Sequence, residues 1–154
     1  MRQFDERFVA EASGIVRALP LDAKPVWGRM SAPQMFAHMV AAFEYSLGRV
    51  PLTPNEGGIF GRIAAPLILN GIIRIPKDQK APSMYDAAAP SATAEELVRV
   101  IAEFHGRLGE PGFSPPAHPF FGDIGKKGWA KLGIVHLEHH LRQFGVAPAN
   151  FVRG

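Results

Sequence analysis

The residues in this sequence best suited to chemistry are six histidines, at positions 38, 105, 118, 136, 139 and 140. Three of them crowd into His136-Leu137-Glu138-His139-His140. On a helix, residues four apart sit one turn above one another, with Cβ atoms about 5–6 Å apart. Two imidazoles so placed can converge on one ion at Zn–N distances of about 2.0–2.1 Å. A helical wheel with His136 at zero and steps of about 100° puts His140 at about +40° and His139 at about −60°. Phe144, Leu137, Leu141 and Ile134 fall between roughly +80° and +160°, so His136 and His140 face the core edge and His139 turns away. Glu138, at about −160°, is too far round to share an ion with them.

His38 is the natural third ligand. It shares the apolar face of a second predicted helix with Met35, Met39 and Ala42. His38 lies about seven residues from the start of its helix, and the His136–His140 pair about seven from the end of the last one. At 1.5 Å per residue each is about 10 Å from its helix end. Antiparallel packing of the two helices would bring the three rings to one level. Packing alone is the rival explanation, because a single histidine on an apolar face is more often a packed residue than a ligand. Three imidazoles facing one core without a partner, however, would each carry a desolvation cost. The sequence therefore predicts a divalent metal site at His38, His136 and His140. Imidazole suits several ions, so Zn, Ni, Mn, Fe and Cu are not distinguished.

The remaining chemistry is sparse. His105 is expected near the end of the fourth helix, where an imidazolium interacts favourably with the dipole. His118 opens His118-Pro119-Phe120-Phe121-Gly122 and is read as fixing that loop through backbone hydrogen bonds, the alternative being that it leans over the site. A general base has three weak candidates, Asp123, Glu44 and Tyr45, each better explained as a surface or packing residue. No phosphate-binding glycine motif is present, and Gly57-Gly58-Ile59-Phe60-Gly61 reads as a loop entering a helix. No Ser or Lys sits in a nucleophile motif.

Five helices are expected to position these residues. The first spans about Gln3 to Leu19, with Phe4, Phe8, Ala12, Ile15 and Leu19 at helical spacing. The second opens with the capping box Ser31-Ala32-Pro33-Gln34 and runs to about Leu47, with Gly48 as its stop. A third covers Ile59 to Ile73, with Pro66 expected to kink or break it. The fourth opens with the capping box Thr93-Ala94-Glu95-Glu96 and reaches about Leu108. The fifth spans about Lys126 to Phe144 and ends at Gly145, with Pro148 beyond. Two long proline-rich connections, Pro76 to Ala92 and Gly109 to Gly125, are of a length that often borders a functional site. Nothing alternates like a strand, so the fold class is all-α.

Composition narrows the function classes. The 154 residues suit one domain, spanning 1–154, with 47% apolar and 20% charged residues. There is no cysteine, which removes disulfides, thiolate ligands and an internal thiol nucleophile together. Ile59 to Ile75, the most apolar stretch, is interrupted by Arg62, Pro66, Asn70 and Arg74 and falls short of the roughly 20 residues of a spanning helix. No apolar run near the N-terminus reads as a secretory signal, so a cytoplasmic location is expected. The net charge of +3 is spread over scattered Lys and Arg, with only Lys126-Lys127 adjacent, which argues against nucleic acid as the partner.

Two blocks of the sequence resemble a known group. Pro25-Val26-Trp27-Gly28-Arg29-Met30 with Gln34-Met35 and His38 resembles its beginning. His118-Pro119-Phe120-Phe121-Gly122, Trp129 and His136 to Gly145 resemble its end. The group is a bacterial domain-of-unknown-function branch of the DinB/YfiT-like superfamily of metalloenzymes. The resemblance implies a four-helix bundle with a long crossover between its second and third helices, here carrying the extra segment Ile59 to Ile73. It also implies one metal-binding His on the second bundle helix and an H-x-x-x-H pair on the last, which match His38, His136 and His140. Relatives include thiol S-transferases and a thiol-dependent isomerase. The expected activity is then a metal-dependent transfer to a small-molecule substrate with a low-molecular-weight thiol as cosubstrate, since the chain has no thiol of its own. A metal-dependent hydrolase and a non-catalytic scaffold with a structural or vestigial metal are the alternatives. A homodimer is compatible with a small bundle, though no motif specifies one.

Overall fold

The computed structural model describes residues 2–50, 58–77 and 91–147. They form five helices: α1 Glu6–Ala18, α2 Ala32–Ser46, α3 Gly58–Leu69, α4 Ala94–Leu108 and α5 Gly125–Gln143. Among the described residues there is no strand, only an isolated antiparallel bridge between His118 and Gly122. The all-helical expectation is met. No described helix is long and apolar enough to cross a membrane. Pro148 and most of the connection Pro76 to Ala92 lie outside the described residues.

The helix starts follow local side-chain chemistry. Ser31 and Gln34 exchange hydrogen bonds at 2.9 and 3.4 Å, and Thr93 and Glu96 do so at 2.7 and 3.2 Å, so both expected capping boxes form. The first helix starts later than its periodicity suggests, because the Asp5 carboxylate accepts from Phe8 N at 2.9 Å and fixes the N-cap there. The third runs through Pro66 but stops at Leu69, short of the expected Ile73. Gly71 takes φ +70°, and the Ile72 N–H turns back to Leu67 O at 2.9 Å, a left-handed C-cap that ends the helix. Ile72 and Ile73 are left outside the helix, on the surface.

Cross-contacts give the helix directions. Phe4, just before α1, packs on Phe104 near the end of α4, while Arg17 pairs with Glu95 at its start, so α1 and α4 run antiparallel. Ala92 N donates to Pro33 O and Phe43 packs on Phe104, so α2 and α4 run parallel. Trp27 meets Gln143, His38 meets His136, and Tyr45 meets Trp129, so α2 and α5 run antiparallel, as the histidine depths required. Helix α3 lies along α5 in the same direction, with Gly61 against Phe120 and Asn70 accepting from Lys131 at 2.7 Å. One apolar core unites the set, with Phe8, Phe36, Met35, Met39, Leu97, Ile101, Phe104, Leu137 and Leu141 all but inaccessible. Residues this buried contribute about 1.5–3 kcal/mol each to folding.

The segment between α4 and α5 is not structureless. Phe113 and Phe121 are buried in the core. Trp129 Nε1 donates to Pro116 O at 2.8 Å and the Tyr45 hydroxyl donates to Ala117 O at 3.1 Å. These bonds pin the loop across the ends of α2 and α5.

Gly61 is the tightest backbone approach in this frame, since a Cβ there would stand 1.8 Å from Phe120 O. Gly61→Ala is therefore expected to cost about 2–3 kcal/mol through overpacking. In a chain of this size that corresponds to a melting temperature lowered by roughly 4–10 °C. Gly14, in the middle of α1, has open space where its Cβ would be. Gly14→Ala should raise stability by about 0.5–1 kcal/mol, and thermal melts of the two variants read both signs.

Candidate metal centre

Helices α2 and α5 bring His38, His136 and His140 together, the set selected from the sequence. The ring centroids form a nearly equilateral triangle, 4.9 Å for His38–His136, 4.8 Å for His38–His140 and 4.9 Å for His136–His140. Their Nε2 atoms face one another, with His38 and His140 at 2.9 and 3.2 Å from His136. Two nitrogens bound to one ion at about 2.05 Å lie about 2.9 Å apart at a right angle and about 3.3 Å apart at the tetrahedral angle. The donor set therefore fits a single divalent ion.

Hydrogen bonding fixes part of the protonation pattern. Gln143 Nε2 donates to Trp27 O at 3.1 Å, which orients the amide so that its Oε1 faces His140 Nδ1 at 2.8 Å. His140 Nδ1 must then carry the proton and donate it, leaving a lone pair on Nε2. Without an ion, a single N–H on His136 could serve only one of its two neighbours in a straight line. A cation serves all three nitrogens at once.

The surroundings keep these rings neutral, the form a metal requires. His38 and His140 are 7% and 6% exposed. Burial lowers the His38 pKa to about 4, with the charge of His139 adding to the effect. Burial, then the neighbouring His38, lowers His140 to about 3, against a smaller opposing effect of Gln143. His136 is also pushed well below its ordinary value, first by burial and then by His38 and His140.

The other candidates fall away from this cluster. His139 turns aside, as the wheel predicted, and its ring sits edge-on to Trp27 at 5.9 Å. His118 fixes its loop: Nδ1 accepts from Phe120 N and Phe121 N, both at 3.1 Å, and the ring stacks on Phe121. Burial lowers its pKa to about 4, so it too is neutral. His105 lies in the last turn of α4, as expected, with its ring on Phe4. Asp123 Oδ1 accepts from Gly125 N at the start of α5, about 16 Å of helix away from His136. Glu44 pairs with Arg49 at 3.2 Å, and the Tyr45 hydroxyl is held by the loop. Each of the three thus has a partner elsewhere in the fold.

The sequence reading missed Gln143 and took Glu138 only as too far round the helix to be a ligand. Gln143 supports His140 from one turn away, and the signal available was a buried amide at i+3 from a ligand candidate. Glu138 is 1% exposed, far from the surface position its charge suggests. Its Oε1 has no hydrogen-bond partner among the described residues, and burial raises its pKa.

An all-helical frame carrying three converging imidazoles defines a helical protein with a potential three-histidine metal site. The chain belongs to the family described as "Protein of unknown function (DUF1569)", whose model matches residues 9–146. Comparison with curated proteins and with solved structures gives no match.

Two outcomes follow for the purified chain. Between pH 6.5 and about 4 the unfolded chain takes up protons on histidines that the folded chain keeps neutral. Each such proton weakens folding by about 1.4 kcal/mol per pH unit as the pH falls. The metal-free protein should therefore lose melting temperature from pH 7 to pH 5, above the carboxylate range, and His38→Asn should flatten that slope. Gln143→Leu should weaken zinc binding by about 10–100-fold while His38 and His136 remain in place, measured by competition with a chromogenic chelator.

Proposed function

We propose that the protein is a metal-dependent enzyme whose divalent ion is held by His38, His136 and His140. The observation that carries this reading is the triangle of Nε2 atoms facing one another from two antiparallel helices. Three protein ligands leave coordination positions open, which is the pattern of catalytic rather than structural sites. When bound, the ion would supply Lewis acidity, lowering the pKa of a small acid placed beside it.

The reaction we favour is transfer of an electrophilic group to a low-molecular-weight thiol. A carbon–sulfur bond forms as the leaving group departs with its electron pair, and the thiol proton passes to solvent. With no cysteine in the chain, the thiol enters as a cosubstrate. The chain's own part is to keep three imidazoles neutral by burial and to hold the His140 lone pair inward through Gln143. The resemblance to the DinB/YfiT-like superfamily supports this choice, as does the frame. In such a bundle α1, α2, α4 and α5 would be the four members, and the parallel pair α2–α4 would require the long crossover that carries α3. A hydrolase reading is weaker because Asp123, Glu44 and Tyr45 are each engaged elsewhere.

Elemental analysis of tag-free protein beside His38→Ala and His136→Ala tests the centre. About one metal per chain is expected in the wild type and none in either variant, with helicity retained by circular dichroism. The loaded protein should then consume a chloronitrobenzene only when a small thiol is added. Ester turnover without thiol would replace the transferase reading with hydrolysis. A metal-free wild type, even after soaking with Zn, Ni or Mn, would leave a scaffold with packed histidines.

A further inference from the structure

On another face of α5, bordered by the His139 ring that lies 5.1 Å from His140, a cleft opens between this helix and the segment that follows α3. Its walls carry Arg74, Lys77 and Arg142 beside Trp27, His139 and Ile73. Among the described residues its lining holds one carboxylate, Glu138, which is buried and contacts Arg142 at 3.4 Å. Lys77 makes no ion pair among the described residues; its ammonium lies 4.5 Å over the face of Trp27. Such a contact is weak at an exposed site, and an incoming anion can share the ammonium.

We propose that this cleft is a binding site for a small organic anion, whose carboxylate or phosphate head pairs with Lys77, Arg74 and Arg142. The guanidinium groups suit an oxyanion because their forked N–H donors match its oxygens in pairs. The apolar wall of Ile73, Ile75 and Val135 selects an organic body over a bare inorganic ion. Ile73 is 46% exposed, an apolar surface that a ligand chain would cover. The site shares no lining residue with the metal centre. It stands whether or not a metal binds, although Trp27 connects the two: its ring lines the cleft while its carbonyl accepts from the Gln143 that supports His140.

Indole N–H signals of the full-length protein report on this directly, since the chain has two tryptophans and Trp129 is held in the core by Pro116. Hexanoate and hexyl phosphate would be titrated into ¹⁵N-labelled protein, both metal-stripped and zinc-loaded, at low salt. A saturable shift of the Trp27 signal, assigned by Trp27→Phe, is expected in both forms while the Trp129 signal stays still. Whichever anion binds more tightly identifies the head group. Lys77→Gln combined with Arg74→Gln, which leaves the Glu138–Arg142 contact intact, should weaken binding by about tenfold, and raising the salt should do likewise. The proposal is overturned if hexanol shifts Trp27 as strongly, if the double variant binds unchanged, or if inorganic phosphate binds as tightly as the alkyl anions. Binding only in the zinc-loaded form would also overturn it, by assigning the anion to the metal.

Discussion

Three imidazoles turned toward one another inside a helical core impose the constraint on which the rest of this structure depends. Their nitrogens have left water, and each must find a proton, a proton acceptor or a cation. Charging them together is opposed by desolvation and by mutual repulsion, so all three are held neutral. Neutral rings with inward lone pairs are also what a divalent ion needs. The same packing that makes the cluster costly without an ion suits it to receive one, which would couple metal binding to fold stability.

The surrounding elements serve that constraint in distinct ways. The antiparallel pairing of α2 and α5 sets the rings at one depth, and the Gln143 amide between His140 and the Trp27 carbonyl fixes one tautomer. The 113–121 loop is drawn across the same pair of helices by Trp129 and Tyr45. Its anchor is His118, which accepts two backbone N–H groups and so acts as a structural imidazole beside the three clustered ones. Helix α3 closes the opposite side of α5, with Gly61 allowing the backbone of Phe120 to approach. Helix α5 is thus covered on most of its circumference, which explains why it buries Glu138 and Gln143 along with its leucines.

Much of the fold was legible in the sequence because it rests on local chemistry. The capping boxes at Ser31 and Thr93, the glycine stops at Gly48 and Gly145, and the 3.6-residue recurrence of apolar side chains are properties of a few neighbouring residues. Helix α3 was misjudged at its end because the apolar run continues through Ile72 and Ile73. The left-handed turn at Gly71, with Asn70 bonded back to Pro66, outweighs that run.

By itself the sequence determined which histidines share a helix face, since i to i+4 spacing and the position of the apolar arc follow from helix geometry alone. That was enough to select His136 and His140 over His139, and to nominate His38. Only the tertiary structure decided that the three meet, because the distance between two helices is set by side chains that lie far apart in the chain. It also decided the fates of Gln143, Glu138 and Asp123. Whether a polar side chain supports an imidazole, is buried or bonds the backbone before a helix depends on what packs against it, and no local pattern carries that information.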